Sequence, residues 1–484
     1  MVRRSFAYAF ADKSAGALLA VLTMAIVSRL LTPAEVGLFM IASSLVILIE
    51  AFRDFGVAAF LIQEPELTPE VTRSAVTVIS LMSLGLGLAI YLGADLLGGL
   101  YDNAELAGLI RIAALAFVVA PVSNPLLALL RREMNFAAVA RISIAAGLVN
   151  ATTTIGLAAA GYGAFSFVWG SVLAACTNAV GALICRPQWW IFRPSLQHWR
   201  RVVPFGAWSS VITILGMLLD AMPRLILGRF IGFSAVGLFA RAVSLMQLPD
   251  RVLLSAVQPV ILPALSARAR NAQGMVEPYL LGLSHISALQ WPALLGLALL
   301  ADPIVRLLLG PQWLEVVPLL RIVALSGVAL FPVYLAYPVL VAVGRVREMA
   351  LVSAITLPVS IAVILTAAQI SLTAVAWSLF VINPLQAAVM LYFVRRYVPF
   401  GWAELTRVLR RSLAVTLAAG AGPGLAILGF GVALDGWQTA LAIAGSAAGW
   451  VAGLIMTRHP IAAELSGIAG ALPWPGARRR SKTT

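Results

Sequence analysis

Charged side chains lie inside several long apolar stretches of this sequence, at spacings that suit a helix. Glu50, Arg53 and Asp54 are three and four residues apart, so one face of a helix would carry all three. Asp250 and Arg251 lie in another such stretch. If these stretches cross a bilayer, each ionisable residue costs at least ~2.5–3.5 kcal/mol and normally faces a cavity or a partner. We therefore treat these residues as candidates for a functional site within a membrane.

The stretch around Asp250 also predicts a polar stripe along one helix face. Most of its members recur at three- and four-residue steps, as residues on one side of a helix do. Besides Asp250 and Arg251, the stretch contains Arg241, Ser244, Gln247, Ser255 and Gln258. Arg53 and Arg251, projecting into one water-filled cavity, would suit a diphosphate, because the planar guanidinium binds phosphate through two parallel hydrogen bonds. We add Arg241 and Gln247 to these substrate-binding candidates.

The carboxylates beside the arginines are candidates for ion pairing and for proton exchange. Glu50, Asp54 and Asp250 could balance the arginines when the cavity is empty, and they could exchange protons. Asp220 and Arg224, four residues apart, form a further candidate pair. The alternative is a structural ion pair that holds helices together, and for Asp220 and Arg224 both interpretations stay open.

The composition indicates that the bilayer is the solvent of this chain. Of its 484 residues, 61% are hydrophobic and 11% are charged, and the mean hydropathy is +0.96. A soluble domain is about 45–50% apolar and about 25% charged. Backbone groups in hydrocarbon must all be paired, so the spans must be helices or a closed barrel. The apolar stretches reach ~20 residues and lack the alternation of barrel strands, which predicts an all-α, polytopic membrane protein.

We predict about fourteen transmembrane helices. Their approximate ranges are 12–31, 38–62, 75–97, 109–130, 139–160, 164–185, 204–227, 235–262, 279–300, 317–343, 350–368, 372–394, 412–434 and 437–457. With the amino terminus in the cytoplasm, most arginines fall in the inner connections. The outer connections near Tyr101, Tyr162, Ser371 and Asp435 carry no positive charge. This positive-inside bias predicts an inner-membrane protein with both termini in the cytoplasm, and it explains the net charge of +14 without nucleic acid.

A repeat at a spacing of about 200 residues predicts two related halves. Arg29 followed by the quartet Val-Gly-Leu-Phe at 36–39 matches Arg229 followed by the same quartet at 236–239. Both copies begin inside and contain six spans, so a pseudo-twofold axis along the membrane normal would relate them. The predicted domains are a six-helix lobe at 1–196, a second at 197–395, two further helices at 396–457 and a basic cytoplasmic tail at 458–484.

Signatures of catalysis and of cofactor binding are absent from the sequence. It contains no P-loop, no Gly-x-Ser-x-Gly, no His-Glu-x-x-His and no Cys/His metal set. We therefore expect no enzyme activity, no cofactor and no metal site. A membrane-embedded enzyme, such as a polymerase or ligase, is the main alternative from another class, and the short outer connections count against it.

A series of motifs resembles one known family. The stretches are Arg29-Leu-Leu-Thr-Pro-Ala-Glu-Val-Gly-Leu-Phe39, Phe52-Arg-Asp-Phe-Gly56, Gly161-Tyr-Gly163, Gly228-Arg-Phe-Ile-Gly232 and Leu309-Gly-Pro-Gln-Trp313. In this order the sequence resembles the Wzx-type flippases, in the lipopolysaccharide, exopolysaccharide and colanic acid branch of the polysaccharide transporter family of the MOP superfamily.

The resemblance implies a fold, a substrate and site residues. It implies two six-helix lobes in a V with alternating access, and movement of undecaprenyl-diphosphate-linked oligosaccharide units to the periplasmic leaflet. It implies cavity arginines at Arg53 and Arg251, and a place for the polyprenyl tail at the last two helices. Expected partners are membrane lipids and a polysaccharide polymerase or assembly complex, around a monomeric transporter. A lipid II flippase or a multidrug antiporter of the same superfamily remains an alternative, and the arginines count against the antiporter.

Overall fold

The computed structural model of the protein describes residues 2–54, 57–250, 274–345 and 347–462. Within these ranges, the side chains of residues 2–11, 51, 54, 59 and 201–213 are outside the description. The helices are α1 (Val2–Leu30), α2 (Pro33–Asp54), α3 (Val57–Gln63), α4 (Pro69–Gly99), α5 (Ala104–Arg132), α6 (Phe136–Ala159), α7 (Phe165–Cys185), α8 (Trp199–Phe230), α9 (Phe233–Met246), α10 (Val276–Leu299), α11 (Ala301–Leu308), α12 (Val316–Gly327), α13 (Val333–Ala342), α14 (Arg347–Ala368), α15 (Leu372–Arg395), α16 (Trp402–Phe430) and α17 (Gly436–Met456).

Twelve segments of the described residues are long and apolar enough to cross a membrane, which confirms an all-α, multi-pass membrane fold. The predicted seventh and eighth spans are not among the twelve. The seventh corresponds to α8, where the side chains of 201–213 lie outside the description. The eighth begins as α9 and continues into residues 251–273, which are also outside it. The described residues thus contain twelve candidate spans, and the count of fourteen stays a prediction.

One predicted span is broken within the described residues. The tenth divides into α12 and α13 on either side of a 3-10 turn at Val328–Leu330. The second is described as α2 and α3, and residues 55–56 between them are outside the description. Pro332 lies directly before α13, where its missing N–H costs no intrahelical bond. A break of this kind is tolerated in membranes where other groups pair the freed backbone. Elsewhere, Arg132 satisfies carbonyl groups at the end of α3, since its Nη1 donates to the carbonyl oxygens of Leu61 at 3.0 Å and Glu64 at 2.6 Å.

The two copies of the repeat meet at a close crossing of α2 and α9. A Cβ atom on Gly37 would lie 1.7 Å from the carbonyl oxygen of Phe233, and one on Gly237 would lie 1.9 Å from that of Pro33. The contact is reciprocal, because each pair of equivalent residues is 200 positions apart. Small residues at a membrane helix crossing allow backbones to approach this closely.

The hydrophobic cores at the two predicted sides of the membrane differ in which halves of the chain they contain. We call α1–α7 the first half and α8–α15 the second half. One large core contains residues of both halves, including Leu31, Val36, Val236 and Trp313, near the ends predicted to be extracytoplasmic. Around the ends predicted to be cytoplasmic, each core of the described residues belongs to the first half or to the second half with α16 and α17. The halves therefore share a core on one side of the membrane alone, as far as the structure describes them.

The last two helices pack on the second half, and a buried histidine fastens their far end. His459 follows α17 and is 1% exposed. Its Nε2 lies 2.9 Å from Ser284 Oγ on α10 and 3.5 Å from Ser412 Oγ on α16. Burial, followed by the charges of His285 and Arg411, lowers the pKa of His459 to about 4. The imidazole is therefore neutral in this network at physiological pH.

We expect Gly37→Ala to lower the thermal stability of the purified protein in detergent. The added methyl group has no room against the backbone of Phe233, and overpacking of this kind typically costs ~1–3 kcal/mol. Gly93→Ala on α4 is the matched control, because nothing lies within 4 Å of a Cβ atom there. Alanine is the better helix former by about 1 kcal/mol, so the control should be neutral or stabilising. Equal melting temperatures for the two variants would contradict the close crossing.

We also expect His459 to make stability depend on pH. A histidine whose pKa is lowered by folding contributes stability above its unfolded value of about 6.5, and this contribution is lost as the pH falls through about 4. His459→Gln should reduce the loss of melting temperature between pH 7 and pH 4.5, when compared with wild type. His198→Gln, at the start of α8, is a control that should leave the loss unchanged.

Candidate functional site

Arg53 lies buried on the last turn of α2, next to both an acidic and an aromatic partner. The residue is 7% exposed, and its Nη1 donates to Glu50 Oε1 at 3.0 Å. Its guanidinium lies 5.0 Å from the centre of the Phe117 ring on α5. The three-residue spacing of Glu50 and Arg53 therefore does produce an ion pair, and Phe117 adds a cation–π contact that the sequence pattern does not reveal. The side chain of Asp54, the last residue of α2, lies outside the description.

Arg241 is a second buried arginine, and its surroundings differ. It lies on α9, is 4% exposed, and stacks 5.5 Å from the centre of the Trp313 ring. Its Nε and Nη2 atoms are buried and have no hydrogen-bond partner in the described part of the chain. Buried N–H groups of a cation normally bind an acceptor, so this guanidinium retains unused donors.

Asp250 is held by two neutral donors from other parts of the second half. Its Oδ1 accepts from Gln290 Nε2 at 3.0 Å, and its Oδ2 accepts from the Tyr334 hydroxyl. Gln290 lies on α10 and Tyr334 on α13. The Oε1 atom of Gln290 is buried without a hydrogen-bond partner among the described residues. Neither Gln290 nor Tyr334 was a candidate from sequence, although a glutamine within an apolar span is the kind of signal that marked the others.

The two acidic residues at equivalent repeat positions are thus paired in different ways. Glu50 and Asp250 are 200 positions apart, but Glu50 contacts a cation whereas Asp250 contacts an amide and a phenol. The contacts given above for Glu50 and Arg53 lie in the first half, and those for Asp250 lie in the second half.

The remaining predicted residues lie on or after α8 and α9. Asp220 is exposed and Arg224 is half-buried, one turn apart on α8. The hydrogen bonds and ion pairs of the described residues include none between these two side chains. Gln247 ends α9 and is half-buried. Arg251 lies outside the described residues, so its role stays a prediction.

An apolar groove runs between the second half and the last helix. It has a volume of about 670 Å³ and is lined by side chains of α9, α10, α11 and α17, among them Leu245, Leu289, Leu297, Ile443 and Trp450. Its wall is almost entirely hydrocarbon, so it suits an apolar chain rather than a charged ligand. No group of three or more His, Cys, Asp or Glu side chains in the described ranges could hold a metal ion.

Comparisons with known sequences identify the family. Residues 26–318 match the family described as polysaccharide biosynthesis protein, which is more than half of the chain. The lipopolysaccharide biosynthesis protein WzxC of Escherichia coli is 26% identical over 318 residues, which are 64% of this chain and 63% of that protein. The succinoglycan biosynthesis transport protein ExoT of Rhizobium meliloti is 25% identical over 71% of this chain and 70% of its own length. The teichuronic acid biosynthesis protein TuaB of Bacillus subtilis is 23% identical over 79% and 78%.

Comparisons with solved structures identify the fold. The lipid II flippase MurJ, in an inward closed conformation, superimposes with a TM-score of 0.73 at 13% identity over 94% of this chain and 100% of that one. An inward-facing multidrug resistance MATE family transporter of the MOP superfamily gives a TM-score of 0.64 at 16% identity over 79% and 94%. The chain therefore belongs to the polysaccharide biosynthesis protein family, as a multi-pass membrane protein with the fold of the MurJ and MATE structures.

Proposed function

We propose that this protein is a flippase for undecaprenyl-diphosphate-linked oligosaccharide units in lipopolysaccharide or exopolysaccharide synthesis. It would move them from the cytoplasmic to the periplasmic leaflet. The observation that carries the proposal is Arg53, a buried cation on the last turn of α2, which continues an apolar candidate span of a polysaccharide biosynthesis protein. Such a cation is retained at a cost, and a passing diphosphate gives a reason for it. The names of the WzxC and ExoT relatives, which refer to lipopolysaccharide and to succinoglycan transport, support this class of cargo.

The diphosphate would be bound by arginines of both halves. In the empty state Glu50 balances Arg53, and an entering diphosphate would replace the carboxylate as the partner of the guanidinium. Arg251, Arg241 and Gln247 would serve the same anion from the second half. The unused N–H donors of Arg241 are consistent with this role.

The proposed architecture has fourteen transmembrane helices in the bacterial inner membrane, with both termini in the cytoplasm. The two six-helix lobes at 1–196 and 197–395 would rock about the crossing of Gly37 and Gly237. The helices at 396–457 and the basic tail at 458–484 would lie outside the rocking pair. The groove beside α17 would hold the polyprenyl chain, because its wall is apolar and it is open along the second half.

Asp250 is the carboxylate that we propose exchanges protons during transport. Both of its described hydrogen-bond partners are neutral, so protonation breaks no ion pair among them. The amide of Gln290 can accommodate either state, because rotation by half a turn presents its oxygen instead of its nitrogen. Glu50, Asp54, Asp220 and Arg224 stay secondary candidates for coupling.

Two alternatives within the superfamily differ in cargo. A lipid II flippase has the same diphosphate chemistry, and the MurJ fold similarity keeps this alternative open. A multidrug antiporter would favour a cavity without arginines, which Arg53 and Arg241 oppose. A polysaccharide polymerase or ligase would act as a partner of this transporter rather than share its fold.

We expect Arg53→Ala to lower transport of a fluorescent undecaprenyl-diphosphate oligosaccharide in proteoliposomes about ten- to a hundredfold. A hydrogen bond to a charged group is worth ~1.5–3 kcal/mol, and the variant removes it. The double variant Glu50→Gln/Arg53→Ala removes both charges and should be equally slow, which excludes an unpaired carboxylate as the cause.

Arg111→Ala is the matched control, because Arg111 is half-exposed and paired with Asp95 at the predicted periplasmic side. It should transport within twofold of wild type. Full transport by correctly folded Arg53→Ala protein and by the corresponding Arg251→Ala protein would overturn the diphosphate assignment. An equal rate for fluorescent lipid II would instead favour the peptidoglycan precursor as cargo.

We expect Asp250→Asn to remove the dependence of transport on an imposed proton gradient. Asparagine keeps the size and accepts one of the two hydrogen bonds, but it does not exchange a proton in this pH range. Asp95→Asn, at the exposed ion pair with Arg111, should keep the wild-type dependence. An unchanged gradient dependence in Asp250→Asn would exclude Asp250 as the proton carrier.

A further inference from the structure

The last turn of α1 is capped by side chains from the opposite half of the molecule. The final carbonyl groups of a helix have no partner within it, so other groups must satisfy them. Trp313 Nε1 donates to the carbonyl oxygen of Ser28 at 2.6 Å. Gln312 Nε2 donates to the same oxygen and to that of Leu31 at 3.2 Å. Two consecutive side chains of the second half therefore complete a helix of the first half.

The capping is reciprocal. Arg29, in the last turn of α1, donates from Nη2 to the carbonyl oxygen of Leu307 at 2.7 Å, near the end of α11. Gly310 has φ +100°, and its Cβ position would lie 3.5 Å from the Arg29 side chain. The left-handed turn at Gly310 directs the chain back toward α1 and places Gln312 and Trp313 against its end. The segment Leu309–Trp313 is the conspicuous Leu-Gly-Pro-Gln-Trp motif, which the proposed substrate binding does not use.

We call the reciprocal contact between the end of α1 and residues 307–313 the joint. The joint is buried from water and lies in the shared core. Trp313 and Ser28 are both 0% exposed, and Arg241 covers the face of the Trp313 ring. Water is therefore excluded from the indole–carbonyl bond, which strengthens it. The buried Nε and Nη2 atoms of Arg241 have no acceptor among the described residues while the ring stays in place. If the ring moved, those N–H groups could bind water or an anion. The new hydrogen bonds would offset part of the free energy lost when the bonds of the joint break.

The joint lies on the one side of the membrane where the halves share a core. On the opposite side, the described cores stay within one half or the other. A rocking motion about the crossing of α2 and α9 would leave those separate cores intact. The same motion in the outward direction must break the bonds to Ser28 and Leu31.

We infer that the segment Leu309–Trp313 is a latch that holds the predicted periplasmic side closed, with Gln312 and Trp313 as its gating residues. Release of the α1 carbonyl groups by these two side chains is required before that side opens. The inference rests on the proposed transport function, but it concerns the opening step rather than the cargo. Gln312 and Trp313 act through the position of α1, so they are positioning residues and not part of the diphosphate site.

The test measures the distance between the two halves on the predicted periplasmic side, in purified protein. Tyr162 and Ile370 are exposed at predicted periplasmic connections of different halves. The distance between spin labels at these two positions, measured by double electron–electron resonance spectroscopy, distinguishes closed from open states. Trp313→Phe keeps the ring beneath Arg241 but removes the donor to Ser28. We expect it to raise the ratio of open to closed states by about two- to tenfold, as loss of one hydrogen bond predicts.

Trp291→Phe is the matched control. The indole of Trp291 donates to the carbonyl oxygen of Val328 at 2.9 Å, and both residues belong to the second half. This variant loses a bond of the same type without touching the joint between halves, so its ratio should equal that of wild type. Equal ratios in Trp313→Phe and Trp291→Phe would overturn the latch.

Two further measurements separate gating from a general loosening of the fold. Gln312→Leu removes the second donor with an apolar side chain of similar size, and it should also favour the open state if Trp313→Phe fails to fold. Labels at Trp189 and Arg396, exposed at the predicted cytoplasmic side, should then show the opposite change, a shorter distance. Broader distances on both sides would indicate loosening and would contradict the latch. Neither result depends on the cargo, so the Arg53→Ala transport test can fail independently.

Discussion

The crossing of α2 and α9 is the constraint on which the rest of the structure depends. At Gly37 and Gly237 the two backbones are so close that neither position has room for a side chain. Equivalent positions of the two sequence copies face each other there, so this contact is itself reciprocal. In a bilayer, where lipid tails are as apolar as leucine, this close backbone packing replaces the hydrophobic drive that joins soluble domains.

The charged side chains lie toward the other ends of the same two helices. Arg53 and Glu50 lie near the far end of α2, and Asp250 follows the end of α9. The described contacts of Arg53 include Phe117 and Glu50 of the first half, and those of Asp250 are Gln290 and Tyr334 of the second half. In the proposed transport cycle, contacts within one half would persist when the halves separate.

The two sides of the membrane differ in which half supplies the hydrogen-bond partners of helix ends and polar groups. Where the halves touch, α1 is completed by Gln312 and Trp313, so closure itself satisfies the backbone. Where the described cores are separate, Arg132 and the His459–serine network satisfy helix ends and polar groups within one half. In the proposed opening step few of these bonds would break, and the buried cation Arg241 would gain exposure.

The sequence by itself determined the membrane class, the all-α fold, most span boundaries, and the ion pair of Glu50 with Arg53. All of these follow from local periodicity and composition, because a bilayer forces every span to pair its own backbone. Tertiary structure alone decided the partners that are distant in sequence: Phe117 beneath Arg53, Gln290 and Tyr334 on Asp250, and Trp313 at the end of α1. Spacing along one helix carries no information about which residue of another helix faces it, so equivalent positions such as Glu50 and Asp250 acquired different partners.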